Sequence, residues 1–144
     1  MPKRYTVEAG KLLDDDWVLK DGGYDLEVYG PNGFFRKFFA TGEAPDLEIL
    51  LTGNYKKGGI RVEVFNRSAD DAGISITSNA YDYGSPLAAT IVPGKTFRKD
   101  WMLANSSNWY DFSVTVGDDF VRRFAGRVET SKDSISDPAM ATGI

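Results

Sequence analysis

The sequence predicts an all-β fold, an antiparallel β-sandwich of about eight or nine short strands. Three observations predict it: short runs in which apolar and polar residues alternate, Gly, Pro and Asn clusters that punctuate them, and no long amphipathic helix or βαβ rhythm. Each alternating run has one apolar face, and two stacked sheets are the simplest way to bury such faces.

Residues 1–22 are polar and read as a lead-in or linker, with Asp14-Asp15-Asp16 ahead of Trp17, Val18 and Leu19. Gly23–Tyr29 alternates, placing Tyr24, Leu26 and Val28 opposite Asp25 and Glu27. The stretch Tyr29-Gly-Pro-Asn-Gly-Phe-Phe-Arg36 then poses a choice between a binding loop and a tight corner. Pro31 suits the first central turn position, Asn32 tolerates the left-handed region and Gly33 adopts positive φ readily, so a corner is predicted. Phosphate cradling is disfavoured because no P-loop lysine and hydroxyl follow the glycines, and Pro31 removes an amide donor. Phe34–Ala40 resumes extended structure.

Asp46–Tyr55 is the next strand, with Leu47, Ile49 and Leu51 in phase, and Lys56–Gly59 turns it into Ile60, Val62 and Val64. Asn66–Gly73 reads as a polar loop and Ile74–Asn79 as a strand. Tyr81–Pro86 breaks the chain before Leu87–Val92. Pro93-Gly94 turns it into Lys95–Leu103, where Phe97 and Trp101 face inward. After the turn-rich Asn105–Asn108, Trp109–Val116 carries the cleanest alternation, with Tyr110, Phe112, Val114 and Val116 on one face. Gly117–Asp119 leads into Phe120–Thr130, where Phe120, Phe124 and Val128 are in phase. The predicted division is a lead-in at 1–22, a sandwich at 23–130, and a polar tail at 131–144 that Ile135 or Met140 can pin back on the sheet.

The chain has 144 residues, the length of one ordinary domain with a core of its own. Its 17 basic and 21 acidic residues give a net charge of −4, a field that disfavours nucleic acid. With no cysteine and no histidine, the chain has neither a disulfide nor a thiolate or imidazole for catalysis or metal binding. The start has no secretory apolar core, and no run approaches the roughly 18–20 apolar residues of a spanning helix.

Asp14–Asp16, Asp70-Asp71 and Asp118-Asp119 are the acidic clusters, and they read as solvated turn charge because none has the staggered spacing of a calcium loop. No metal or other cofactor is expected. Arg36, Lys37, Arg122, Arg123 and Arg127 suit a phosphate or a partner carboxylate, although Arg122 and Arg123 must point to opposite faces of an extended strand. Phe34 and Phe35 diverge for the same reason. Tyr81, Tyr83, Trp109 and Tyr110 adjoin loops and strand ends, where aromatic side chains form platforms for glycans or choline headgroups. The candidate interface residues are therefore Phe34, Phe35, Arg36, Tyr81, Tyr83, Trp109, Arg122 and Arg123.

The segments VYGPNGFFRKF, GIRVEVFNRS, NWYDFSVTV and FVRRFAGRVETSKDSISDPAM together resemble the carboxy-terminal domain of bacterial phosphocholine-specific phospholipases C. The resemblance extends from about Gly23 to Met140. It implies a non-catalytic β-sandwich, commonly one of tandem modules, behind a catalytic domain that hydrolyses phosphatidylcholine or sphingomyelin to release phosphocholine. It also implies an exported parent, with SDPAM as the parent's own end, and it places the catalytic motifs outside this chain. Two readings follow: an accessory module packed on the catalytic domain or a sister module, or a module binding a lipid headgroup, membrane interface or glycan directly.

Overall fold

The computed structural model describes residues 2–19, 21–81, 86–132 and 135–139. Among these, nine strands form two antiparallel sheets, which is the predicted sandwich. The strands are β1 (Tyr24–Tyr29), β2 (Phe35–Ala40), β3 (Leu47–Asn54), β4 (Gly59–Asn66), β5 (Ala72–Ser78), β6 (Leu87–Ile91), β7 (Thr96–Met102), β8 (Trp109–Val116) and β9 (Phe120–Arg127). A six-stranded sheet runs β1-β2-β9-β8-β5-β6, and a three-stranded sheet runs β3-β4-β7.

Alternation sets the interior. Ile60, Val62 and Val64 of β4 face Phe112 and Val114 of β8 and Phe120 and Phe124 of β9, all buried in one core. Trp101 of β7 leans on Phe112 with ring centroids 5.5 Å apart, and Phe112 stacks on Phe124 at 5.3 Å. On the solvent face of the small sheet, charge replaces apolar contact: Arg61 pairs with Asp100, Arg98 with Glu63 and Arg67 with Glu48.

Hydrogen bonds anchor the chain at the points where it leaves each sheet. Thr41 donates its amide to the Asp119 carbonyl at 2.9 Å and its hydroxyl to the Asp119 carboxylate at 2.6 Å. Leu103 closes the other end through the Gly58 carbonyl at 2.9 Å. Asn66, read from sequence as loop, is instead the buried end of β4, and β5 begins at Ala72 rather than Ile74.

Three strands are narrower than six. β6 approaches β7 at one side of the sandwich, so the uncovered width falls at β1 and β2. There Leu26, Val28 and Phe38 point to the sandwich side yet lie outside the core cluster. Residues 2–19 are exposed throughout and form no strand.

Candidate functional site

Most of the sequence-predicted residues converge on the β1–β2 corner. Gly30 donates its amide to the Phe34 carbonyl at 2.9 Å, and Phe34 donates to the Pro31 carbonyl at 3.2 Å. The two central residues of that inner turn are Asn32 at φ 55° and Gly33 at φ 74°. Positive φ at both belongs to the primed turns that match strand twist, so the Asn-Gly pair makes the corner and Pro31 stands one position earlier than expected. A Cβ on Gly33 would sit 2.9 Å from the Trp109 ring. Close approach therefore requires glycine here, and the corner rests on the indole.

Trp109 and Tyr110 do not form the open aromatic platform that the sequence suggested. Both are buried, Trp109 beneath the corner with its indole N–H donating to the Ile135 carbonyl at 3.3 Å. Phe34 and Phe35 diverge as strand geometry requires. Phe35 turns outward to Tyr29, with ring centroids 5.1 Å apart, while Phe34 lies under the Arg36 guanidinium at 4.1 Å.

Arg36 and Arg122 share the sandwich side of the sheet and serve as braces. Arg36 donates to the carbonyls of Phe35 and Ala125 at 2.8 and 2.9 Å and to the Tyr110 hydroxyl at 3.0 Å. Arg122 donates to the carbonyls of Phe39 and Val121, both at 3.1 Å, and to the Tyr24 hydroxyl, with its guanidinium over the Phe120 ring at 4.2 Å. Arg123 lies on the opposite face. Its two nitrogens grip the Asp111 carboxylate at 2.9 and 2.7 Å, which raises its pKa, while its guanidinium covers Phe35 at 5.3 Å.

Beside Arg123 a groove of about 460 Å³ opens on the outer face, lined by Glu27, Tyr29, Phe34, Phe35 and Arg123. The Tyr29 hydroxyl donates to Glu27 at 2.8 Å and, with Lys37 nearby, holds the Glu27 carboxyl below its ordinary range. Glu27, Tyr29 and Asp111 were missed as site residues. The signal for Asp111 was its place across from β9 in the β8–β9 hairpin, and that for Tyr29 was its neighbourhood to the corner. A larger hollow of about 630 Å³ lies at the β3–β4 turn, between Tyr55, Lys56, Lys57, Trp101 and Met102. Nothing in the sequence marked it.

Tyr81 stands apart from the corner and donates its hydroxyl to Asp137 in the tail. Tyr83 lies outside the described residues, as does Met140. Among the described residues no group of three or more carboxylates converges to hold a metal, and no helix is long and apolar enough to cross a membrane. The corner offers contact area, ring faces and fixed charge. Its guanidinium groups are largely spent on carbonyls, tyrosine hydroxyls and Asp111.

Residues 2–39 and 45–127 match the family model of the bacterial phospholipase C C-terminal domain, and together they cover most of the chain. The chain belongs to this family. This phospholipase C C-terminal domain is 38% identical over 99% of its length to a non-hemolytic phospholipase C of Pseudomonas aeruginosa. It is 40% identical over 98% to one of Burkholderia pseudomallei, and 33% identical over 96% to a hemolytic phospholipase C of Pseudomonas aeruginosa. The domain spans 21–22% of the length of those relatives. The corner falls in the first matched stretch and Trp109 in the second, so the contact between Gly33 and Trp109 joins them.

Proposed function

We propose that this chain is a non-catalytic accessory domain of a phospholipase C, packed against other parts of the same polypeptide and shaping access to the enzyme's active site. In this reading the catalytic region lies elsewhere in the polypeptide. It cleaves phosphatidylcholine or sphingomyelin at the phosphodiester to release phosphocholine, and the whole protein is exported. The observation that carries the reading is the use of the arginines on β2 and β9. Arg36, Arg122 and Arg123 hold the fold together rather than converging on a free acceptor, while on the sandwich side of β1 and β2 Val28 is exposed and Leu26 and Phe38 are only half-buried. Bare apolar surface of this kind is what a neighbouring domain covers.

The test is removal of the domain from the full-length enzyme, followed by hydrolysis of soluble short-chain and bilayer phosphocholine substrates with folding checked in parallel. The expected result is lower stability, lower activity, or a changed ratio between the two substrates. Unchanged stability with unchanged activity on both defeats the accessory role.

A second reading has its own support in the outer groove. Tyr29 and Phe35 present two rings beside the Glu27 carboxylate, a chemistry suited to a quaternary ammonium headgroup. Titration of the isolated chain with phosphatidylcholine vesicles, phosphocholine and simple glycans separates the readings. Saturable binding that Tyr29→Ala abolishes supports direct recognition, and no binding at high protein concentration removes it.

A further inference from the structure

The two family-matched stretches repeat one another. Gly10-Lys11, Asp16-Trp17 and Leu19 precede Gly94-Lys95, Asp100-Trp101 and Leu103 by a constant 84 residues. Tyr24-Asp25, Val28, Arg36 and Phe38 precede Tyr110-Asp111, Val114, Arg122 and Phe124 by 86, the two extra residues falling in the turn before β8. The β1–β2 hairpin is thus the counterpart of β8–β9, and residues 5–19 are the counterpart of the segment that forms β6 and β7.

The counterparts also meet symmetrically. β2 pairs with β9 so that Lys37 faces its own equivalent Arg123, and the pairing of Arg36 with Phe124 is mirrored by that of Phe38 with Arg122. Such reciprocal contacts define an isologous two-fold seam. From this seam the sheet runs outward through β9-β8-β5-β6 on one side, but only through β2-β1 on the other.

Equivalent residues then differ sharply in burial. Leu103 is 1% exposed and Leu19 51%, while Val114 is 0% exposed and Val28 47%. Trp101 packs on Phe112, whereas Trp17 is exposed with the Lys3 ammonium over its ring. What the buried copy has and the bare copy lacks is β3, β4 and β5: a roof of β3 and β4 beside β7, and a strand paired to the outer edge of β8. The same apolar pattern is dry in one copy and wet in the other because only one copy has these strands.

We infer that residues 5–40 are the second half of another module, completed by a three-stranded piece of the same pattern as Leu47–Ser78. Two of its strands roof Leu26, Val28 and Phe38, with residues 11–19 joining them as the third roof strand, as β7 joins β4. Its last strand pairs with the free edge of β1 at Leu26–Tyr29, as β5 pairs with β8 at Phe112–Thr115. Chain order identifies the source. β3, β4 and β5 precede β6, so their counterparts belong to polypeptide ahead of residue 5 rather than to a second molecule. The complementing strands are recognisable by alternate β-branched residues, as in Ile60, Val62 and Val64, and by an asparagine at the position of Asn66.

The test fuses a second copy of residues 43–84 ahead of Met1 of the full chain, which keeps the spacing of the repeat, beside a fusion carrying the same residues in scrambled order. Hydrogen exchange of the Leu26–Tyr29 amides is expected to slow by about tenfold or more in the true fusion and not in the scrambled one. Trp17→Ala is expected to lower the thermal midpoint of the true fusion and to leave that of the 144-residue chain unchanged. Two results overturn the inference: exchange equally fast in both fusions, or Trp17→Ala destabilising the unfused chain as much as Trp101→Ala does. The unfused chain is expected to sediment as a monomer, and a dimer with protected β1 amides makes a second molecule the occupant and overturns it as well.

Discussion

The side-chain amide of Asn66 donates to the Ile91 carbonyl at 2.7 Å from a position that is 0% exposed. The same nitrogen reaches the Asp70 carbonyl at 2.8 Å, and the side-chain oxygen accepts from the Ser68 amide at 2.8 Å. One side chain therefore ties the end of β4 in the small sheet to the exit of β6 in the large one. Asn66→Leu keeps the branched shape of the side chain but leaves these buried backbone groups unpaired, and it is expected to cost about 3 kcal/mol or more. Urea unfolding measures it, and a loss below about 1 kcal/mol contradicts the bracing role.

Val114 and Val28 occupy equivalent positions in opposite surroundings. Val114→Ala removes fully buried methyl groups and is expected to cost about 2–3 kcal/mol. Val28→Ala, on the bare face, is expected to stay within about 0.5 kcal/mol in this chain. Thermal and chemical unfolding of the two variants side by side checks the contrast.

Gly33→Ala introduces a methyl group where φ is +74° and the Trp109 ring lies 2.9 Å away. The expected loss is about 1–3 kcal/mol, accompanied by a changed near-ultraviolet signal from Trp109. Gly73→Ala is the control, since nothing lies within 4 Å of its added Cβ. That variant is expected to be neutral or slightly stabilising.

Acid should weaken the fold through two depressed carboxylates. Asp100 is lowered first by its hydrogen bonds from Arg61, and Glu27 first by the Tyr29 hydroxyl. Because the folded values lie below the ordinary 3.8 and 4.5, their contribution is complete above those values and is lost as pH falls through the folded ones. The thermal midpoint is expected to be level down to about pH 5 and then to fall, with Asp100→Asn flattening part of the decline. Both groups are exposed, so salt should shrink the effect. A midpoint that rises on acidification contradicts the assignment.

The fold was legible wherever one strand face is dry and the other wet. Tyr110–Val116 declared itself by period two because the sandwich buries every second residue. Sheet membership was not legible: β6 and β7 adjoin through Pro93-Gly94 but enter different sheets, a choice made by partners distant in sequence. Asn66 looked like loop because local polarity says nothing about carbonyls brought to it by β6. Trp109 looked like surface because its cover, Gly33 and Ile135, comes from the far ends of the chain. Of the candidate site, Phe34, Phe35 and Arg36 were legible beside a strong turn signal. The roles of Arg122 and Arg123 required the registers of β2 and β8.

The six paired positions between β2 and β9 have a mechanical consequence. A ladder of main-chain bonds leaves no swivel between the two hairpins, so they turn as one rigid plate rather than as beads on a string. The point at which the chain enters β1 is thereby held in a fixed relation to the sandwich.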